Sequence, residues 1–365
     1  MNVKIKTTSI LASTIIGAGI FALPYVYAQI GLITGIIYLT VFTIIYITLH
    51  QMYFNVLNAQ NSEHQIAFLF KKYLQYPYSF LSTIIILLKL IFVLTVYLIL
   101  SITFSQLIFI KIPPIYLLFI FWALSSIFIF VKISTIGFAE SIGIFSMIAI
   151  VLIIMLFSFQ YHNNIKLIAN FNLSNLLTPF GLLLFALSGR PAIHKVLEEL
   201  KTAKNKNNIA KKSIILGTTI PAILYLIFVI GVLKINPLIT PETLNSLSLS
   251  PIITIFLAIL GLIVLWTSYF VVGANIYDML RLDFKIKKYI AALSVLSLPI
   301  IFYFLGFNKF LPTLNFVSGI FLGLEGILII RLWQKAFPQH KLYKFSWLLY
   351  IIFIISISVT IISRL

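Results

Sequence analysis

Eleven stretches of this chain are each long and apolar enough to cross a bilayer, and that count limits the fold more than any other feature. A spanning helix needs about 20 mostly apolar residues. The runs fall at roughly residues 8–30, 31–56, 79–108, 113–131, 138–160, 171–194, 213–234, 251–279, 286–305, 309–331 and 345–363. Hydrophobic residues make up 61% of the chain and charged residues 9%, against about 25% charged in a soluble domain. So little polar surface cannot cover a water-soluble globule, and lipid becomes the outer solvent. The expectation is a single all-α membrane domain over residues 1–365.

The net charge of +18 would suggest a nucleic-acid partner in a soluble protein. Here the basic residues sit in short connections, the pattern that orients membrane proteins. With the N-terminus in the cytoplasm, 19 of the 26 Lys and Arg residues fall on the cytoplasmic side and 5 on the other. That asymmetry predicts N-in and C-out. The compact chain suggests a bacterial plasma (inner) membrane. Cysteine is absent, which excludes disulfides, thiolate metal sites and cysteine nucleophiles. His-Glu-x-x-His, a phosphate loop and Gly-x-Ser-x-Gly are missing, and the five histidines are scattered. Neither an enzyme nor a resident cofactor is expected.

Two of the spans carry their own interruptions. The first contains Gly17, Gly19 and Pro24 within a few residues; the sixth contains Ser188, Gly189, Arg190 and Pro191. Glycine is a poor helix former, and proline removes a backbone donor. Gly17 and Ser188 lie 171 residues apart, each in the first helix of a set of five. Five is odd, so the second set enters the membrane inverted. Such matched breaks point to a transport site, because unwound backbone at membrane depth needs a polar ligand or ions to satisfy it. Half-helix N-termini attract a carboxylate; free carbonyls attract cations. Repeat one then covers about 8–160, repeat two about 171–331, and 345–363 is an extra helix.

These residues also carry a resemblance. The segment Thr14 to Pro24, with its Gly-Ala-Gly-Ile-Phe-Ala-Leu-Pro core, is similar to the first helix of the amino acid/auxin permease group, which includes aromatic amino acid permeases of the amino acid–polyamine–organocation superfamily. Phe185-Ala-Leu-Ser-Gly-Arg-Pro-Ala-Ile with Glu198-Glu-Leu-Lys resembles its sixth helix and following loop. Thr240-Pro-Glu-Thr-Leu and Thr267-Ser-Tyr-Phe, running on to Tyr277 and Asp278, resemble the seventh loop and eighth helix. Family members often show Ile-Pro-Glu where this chain has Ile193, His194 and Lys195.

The resemblance implies the leucine-transporter fold, with broken helices 1 and 6, and secondary transport of an amino acid, aromatic or otherwise neutral, driven by H⁺ or Na⁺. It implies that substrate meets Gly17, Ala18 and Gly19 in the first break and Leu187, Ser188 and Gly189 in the sixth, with Phe185 covering or lining the pocket. A sodium ion would meet the carbonyls of Ser13 and Ile16 and the hydroxyls of Thr267 and Ser268. The same fold also serves amino-acid-sensing subunits without turnover, as in spore germinant receptors.

Charges inside the spans complete the candidate list, since ionisable groups in a membrane are costly and default to function. Arg190 could hold a substrate carboxylate or an outer-gate acid, stand in for a coupling cation, or instead snorkel or form a structural pair. Glu140 is a candidate proton carrier. Lys89 and Glu325, deep and opposite in sign, are expected to neutralise each other, and Asp278 to pair with the basic segment Arg281–Lys288.

Overall fold

The computed structural model describes residues 3–60, 66–130, 133–168, 177–247, 249–340, 343–344 and 346–362, without the side chains of 133–140. Among these residues there is no strand. The first span is two helices, α1 (Val3–Ile15) and α2 (Leu23–Ile30), joined by a 3₁₀ turn over Ala18–Ala22. The two halves are bent by 46°. Spans 2 to 5 are α3 (Leu32–Ala59), α5 (Tyr78–Ile108), α6 (Pro114–Ile129) and α7 (Ile133–Ser158). The sixth span is α8 (Pro179–Ala186) and α9 (Arg190–Glu199). Then come α10 (Lys206–Ile235), α11 (Pro251–Asp278), α12 (Lys288–Phe304), α13 (Phe310–Phe316), α14 (Gly323–Ala336) and α15 (Ser346–Ile362). A π-helical turn, Val317–Leu322, joins α13 to α14 as one span.

Among the described residues, seven helices are long and apolar enough to span, and the bent first pair makes an eighth. α6, α12 and α15 are shorter, at 16 or 17 residues, or about 25 Å of helix. Each of the eleven runs read from sequence holds helix among the described residues, with 171–176 of the sixth run lying outside them. One element was not anticipated: α4 (Ile66–Tyr73), a short helix with Lys71 and Lys72 in its last turn.

Prolines set several starts. Pro114, Pro179, Pro191 and Pro251 occupy first turns, where a missing N–H costs nothing. Pro191 cannot donate to the carbonyl of Leu187 four residues back, so α8 stops at Ala186. Pro24 likewise withholds a donor from Ile20, inside the 3₁₀ turn.

The helix contacts show the inverted repeat. Span 1 packs on span 7, and span 6 packs on span 2. Span 8 packs on span 5, and span 3 on span 10. Span 7 packs on span 5, and span 2 on span 10. Span 4 meets spans 3 and 8, and span 9 meets spans 8 and 3. Every one of these pairings maps onto its partner when each span is exchanged for the one five later or earlier. This is the five-plus-five inverted repeat with an eleventh helix, and α15 packs against the tenth span.

Candidate functional site

The two breaks meet. A Cβ added to Gly19 would lie 2.7 Å from the Cα of Ala186, so only glycine lets the 3₁₀ turn approach the end of α8 this closely. α1 ends at Ile15 and α8 at Ala186, and both leave terminal carbonyls with no partner in their own helix. One side chain serves both: the Tyr225 hydroxyl, on α10, lies 2.6 Å from the Ile15 carbonyl and 3.0 Å from the Ala186 carbonyl.

α3 supplies the sixth span's partners from one face, at Tyr46, His50 and Tyr53. The Tyr46 hydroxyl donates to the Leu184 carbonyl at 2.6 Å. The Gly189 N–H, at the start of α9, donates to His50 Nε2 at 3.2 Å, and Nδ1 lies 3.3 Å from the Thr218 hydroxyl. An imidazole that accepts at Nε2 carries its proton on Nδ1, so His50 bridges the second break to α10. Sequence reading missed His50 and Tyr225 as site residues. The only signal for His50 was the i, i+4, i+7 polar stripe Tyr46–His50–Tyr53 in an apolar run; Tyr225 carried none.

A cavity of about 90 Å³ lies between the breaks. Gly17, Ala18, Gly19, Phe185 and Ser188 line it, together with Lys89 and Tyr97 of α5. Leu187 and Gly189 belong to the break but are not in this lining. Leu187 is fully buried, and Gly189 faces Leu11 and Ile15. Arg190 points elsewhere, into a second cavity of about 80 Å³ with Tyr53, His194 and Met279; Leu90 and Pro191 belong to both linings.

Between the two cavities lies a buried charge triad. Lys89 Nζ donates to both Glu325 oxygens, at 2.8 and 2.9 Å. Arg190 Nε donates to Glu325 Oε1, and its guanidinium lies 5.7 Å from the Tyr53 ring centroid. All three are nearly inaccessible, at 3%, 8% and 3% exposure for Lys89, Arg190 and Glu325. The expected Lys89–Glu325 pair is present, and Arg190 joins it. Asp278, by contrast, makes no ion pair within 4 Å among the described residues, although Arg281 is its charged neighbour.

A third cavity, about 70 Å³, collects Ser13, Ile16, Thr267 and Ser268, with Tyr97 shared with the cavity at the breaks. Ser13 Oγ donates to the Ile10 carbonyl at 2.8 Å, and Thr267 Oγ1 to the Val264 carbonyl at 3.0 Å. A hydroxyl that donates to its own helix keeps its lone pairs for a neighbour, so this oxygen set can accept a hard cation. The Glu140 side chain lies outside the described residues.

On the opposite side from the Arg190 cavity, Phe21 packs edge-on against Phe104 and Phe228, with ring centroids 4.9 and 6.1 Å away. Thr243, from the loop before α11, donates to the Phe21 carbonyl. The three rings are fully buried and seal that end.

Two broken helices of opposed repeats, abutting around a small polar cavity with a separate oxygen-lined one beside it, define a secondary transporter of the leucine-transporter fold and not an enzyme. Solved structures agree on the fold. The chain matches Mhp1, a nucleobase-cation-symport-1 family transporter in a closed conformation with bromovinylhydantoin bound, at TM-score 0.66 and 13% identity, over 98% of this chain and 90% of that one. It matches MhsT in complex with L-phenylalanine at TM-score 0.62 and 15% identity, over 98% of both chains. It matches an Eremococcus coleocola manganese transporter at TM-score 0.62 and 13% identity, over 98% of this chain and 85% of that one. No curated protein sequence matches. Residues 2–288 match the tryptophan/tyrosine permease family, and the chain belongs to that family. The permease character implied by the first-helix motif holds, while the family shown is this one rather than specifically the amino acid/auxin permeases.

Proposed function

We propose that this protein is an ion-coupled symporter of an amino acid, aromatic or otherwise neutral, working by alternating access in a plasma membrane with its N-terminus in the cytoplasm and its C-terminus outside. The observation that carries this reading is the shared cavity at the two breaks. There the first N–H groups of the Ala18–Ala22 turn suit a carboxylate, and the carbonyl ends of α1 and α8 suit an ammonium. The family and the phenylalanine bound to MhsT support an aromatic substrate, and the first-helix motif supports kinship with amino acid/auxin permeases. In this orientation the Phe21–Phe104–Phe228 seal faces outside, and the triad faces the cytoplasm.

The test is accumulation of radiolabelled amino acids in proteoliposomes under separate Na⁺ and H⁺ gradients. Gradient-driven uptake of at least one is expected. Saturable binding without accumulation would instead identify a sensing subunit of the same fold.

For coupling, Na⁺ held by Ser13, Ile16, Thr267 and Ser268 is the reading the oxygen-lined cavity supports. Replacing Ser268→Ala removes one ligand oxygen. The Na⁺ concentration for half-maximal uptake is expected to rise about tenfold, with little change in thermal stability. Uptake driven by H⁺ alone, and insensitive to this change, would move the coupling role to a protonatable group such as Glu140.

A further inference from the structure

We propose that Lys89 is the charged half of a carboxylate subsite, so that the transporter selects substrates by their carboxylate rather than by their amine. This rests on the amino acid reading above and names the group that would enforce it.

Lys89, Arg190 and Glu325 are buried together, and two cations against one acid leave a formal charge of plus one in a low-dielectric site. Buried charges are stable only when paired. The surplus lies toward the cavity at the breaks, because Lys89 lines it while Arg190 faces away. No acidic side chain is among the described residues lining that cavity, so its wall carries one formal charge, a positive one.

Donor geometry gives the same answer. Lys89 directs two N–H groups at Glu325. An ammonium has three donors, which leaves one for a ligand. A carboxylate placed there receives a charge-assisted hydrogen bond from Lys89. An amine there would meet a like charge, and an amide would lose the ionic attraction. The substrate ammonium is left to the carbonyl ends of α1 and α8.

The experiment uses the full chain in proteoliposomes with tritiated L-tryptophan, or whichever amino acid accumulates best, and three unlabelled competitors: the amino acid, its carboxamide and the decarboxylated amine. In the wild type, carboxamide and amine are expected to compete about 10- to 100-fold less well than the acid. The variant Lys89→Met/Glu325→Gln keeps the site's formal charge, now on Arg190 alone, but removes the cation from the cavity wall. Its KM for the acid is expected to rise by a similar factor, and its preference over the carboxamide to shrink to within about threefold. Lys89→Arg should retain the preference. If carboxamide or amine competes as well as the acid in the wild type, the proposal is overturned without any variant. A well-folded double variant that keeps the wild-type preference overturns it too. A wild type that accumulates no amino acid removes the function reading and this inference with it, so the two failures are told apart by the first measurement.

Discussion

Glu325→Gln is expected to be among the most destabilising single changes this protein can carry, at about 3–5 kcal/mol. Among the described residues, Glu325 is the only acid paired with Lys89 and Arg190, and all three are shielded from water. Neutralising it leaves two cations side by side in a site that cannot hydrate them. The lysine has an escape: a buried ammonium lowers its own cost by releasing its proton. Arginine has none, because a guanidinium stays charged. The residual penalty therefore falls on Arg190, which loses its carboxylate and is left with the neutral Tyr53 side chain. The reciprocal change, Lys89→Met, leaves the Arg190–Glu325 pair intact and should cost much less. The double change should lie between the two, since removing Lys89 relieves part of the repulsion that Glu325→Gln creates. Thermal melts in detergent across this double-mutant cycle measure the ordering. If Glu325→Gln melts no lower than Lys89→Met, the acid is not holding two cations together, and the triad is an accident of proximity.

How far this site could be read without coordinates depended on what each residue has to do. The spans were legible because hydrophobic length is the whole requirement for crossing a bilayer. The breaks were legible because only Gly and Pro unwind a helix at a fixed depth, and they occur twice at matched places, Gly17–Pro24 and Ser188–Pro191. The cation candidates Ser13, Ile16, Thr267 and Ser268 were joined through resemblance alone, and the structure brings them to one cavity. The Lys89–Glu325 pair was legible because two deep opposite charges have few alternatives to each other. Sequence leaves Arg190 open between a substrate role and a structural pair; the structure pairs it with Glu325 and turns it away from the cavity at Gly17. His50 and Tyr225 left almost no trace. A tyrosine in an apolar run is, by composition, another interfacial aromatic, and there are 18 of them. What distinguishes Tyr225 is a pair of carbonyls 210 and 39 residues away, a relation no local pattern encodes.

That relation sets the second large effect, Tyr225→Phe. The hydroxyl is the shared donor for the carbonyl ends of both half-helices, at Ile15 and Ala186, and its ring is fully buried. The phenylalanine keeps the shape and deletes only that donor. Two carbonyls that had faced it then lose their shared donor, at a cost of roughly 1–3 kcal/mol. In a rigid protein this would register only as lost stability. Here the penalty is specific to the arrangement in which the two breaks abut, because the hydroxyl reaches both carbonyls only when they are close. Arrangements in which the half-helices separate and water reaches the carbonyls lose nothing. The same free energy therefore shifts the population toward open states, by about 5- to 150-fold. The absence of native cysteine makes the shift directly measurable: a cysteine introduced by Ser188→Cys, in the cavity wall, reports its exposure through its alkylation rate by a small maleimide. The rate is expected to rise at least about fivefold in the Tyr225→Phe background, with transport falling as the closed state becomes harder to reach. An unchanged alkylation rate, with the melt lowered, would mean that Tyr225 supports packing alone and that the two breaks close without a common donor.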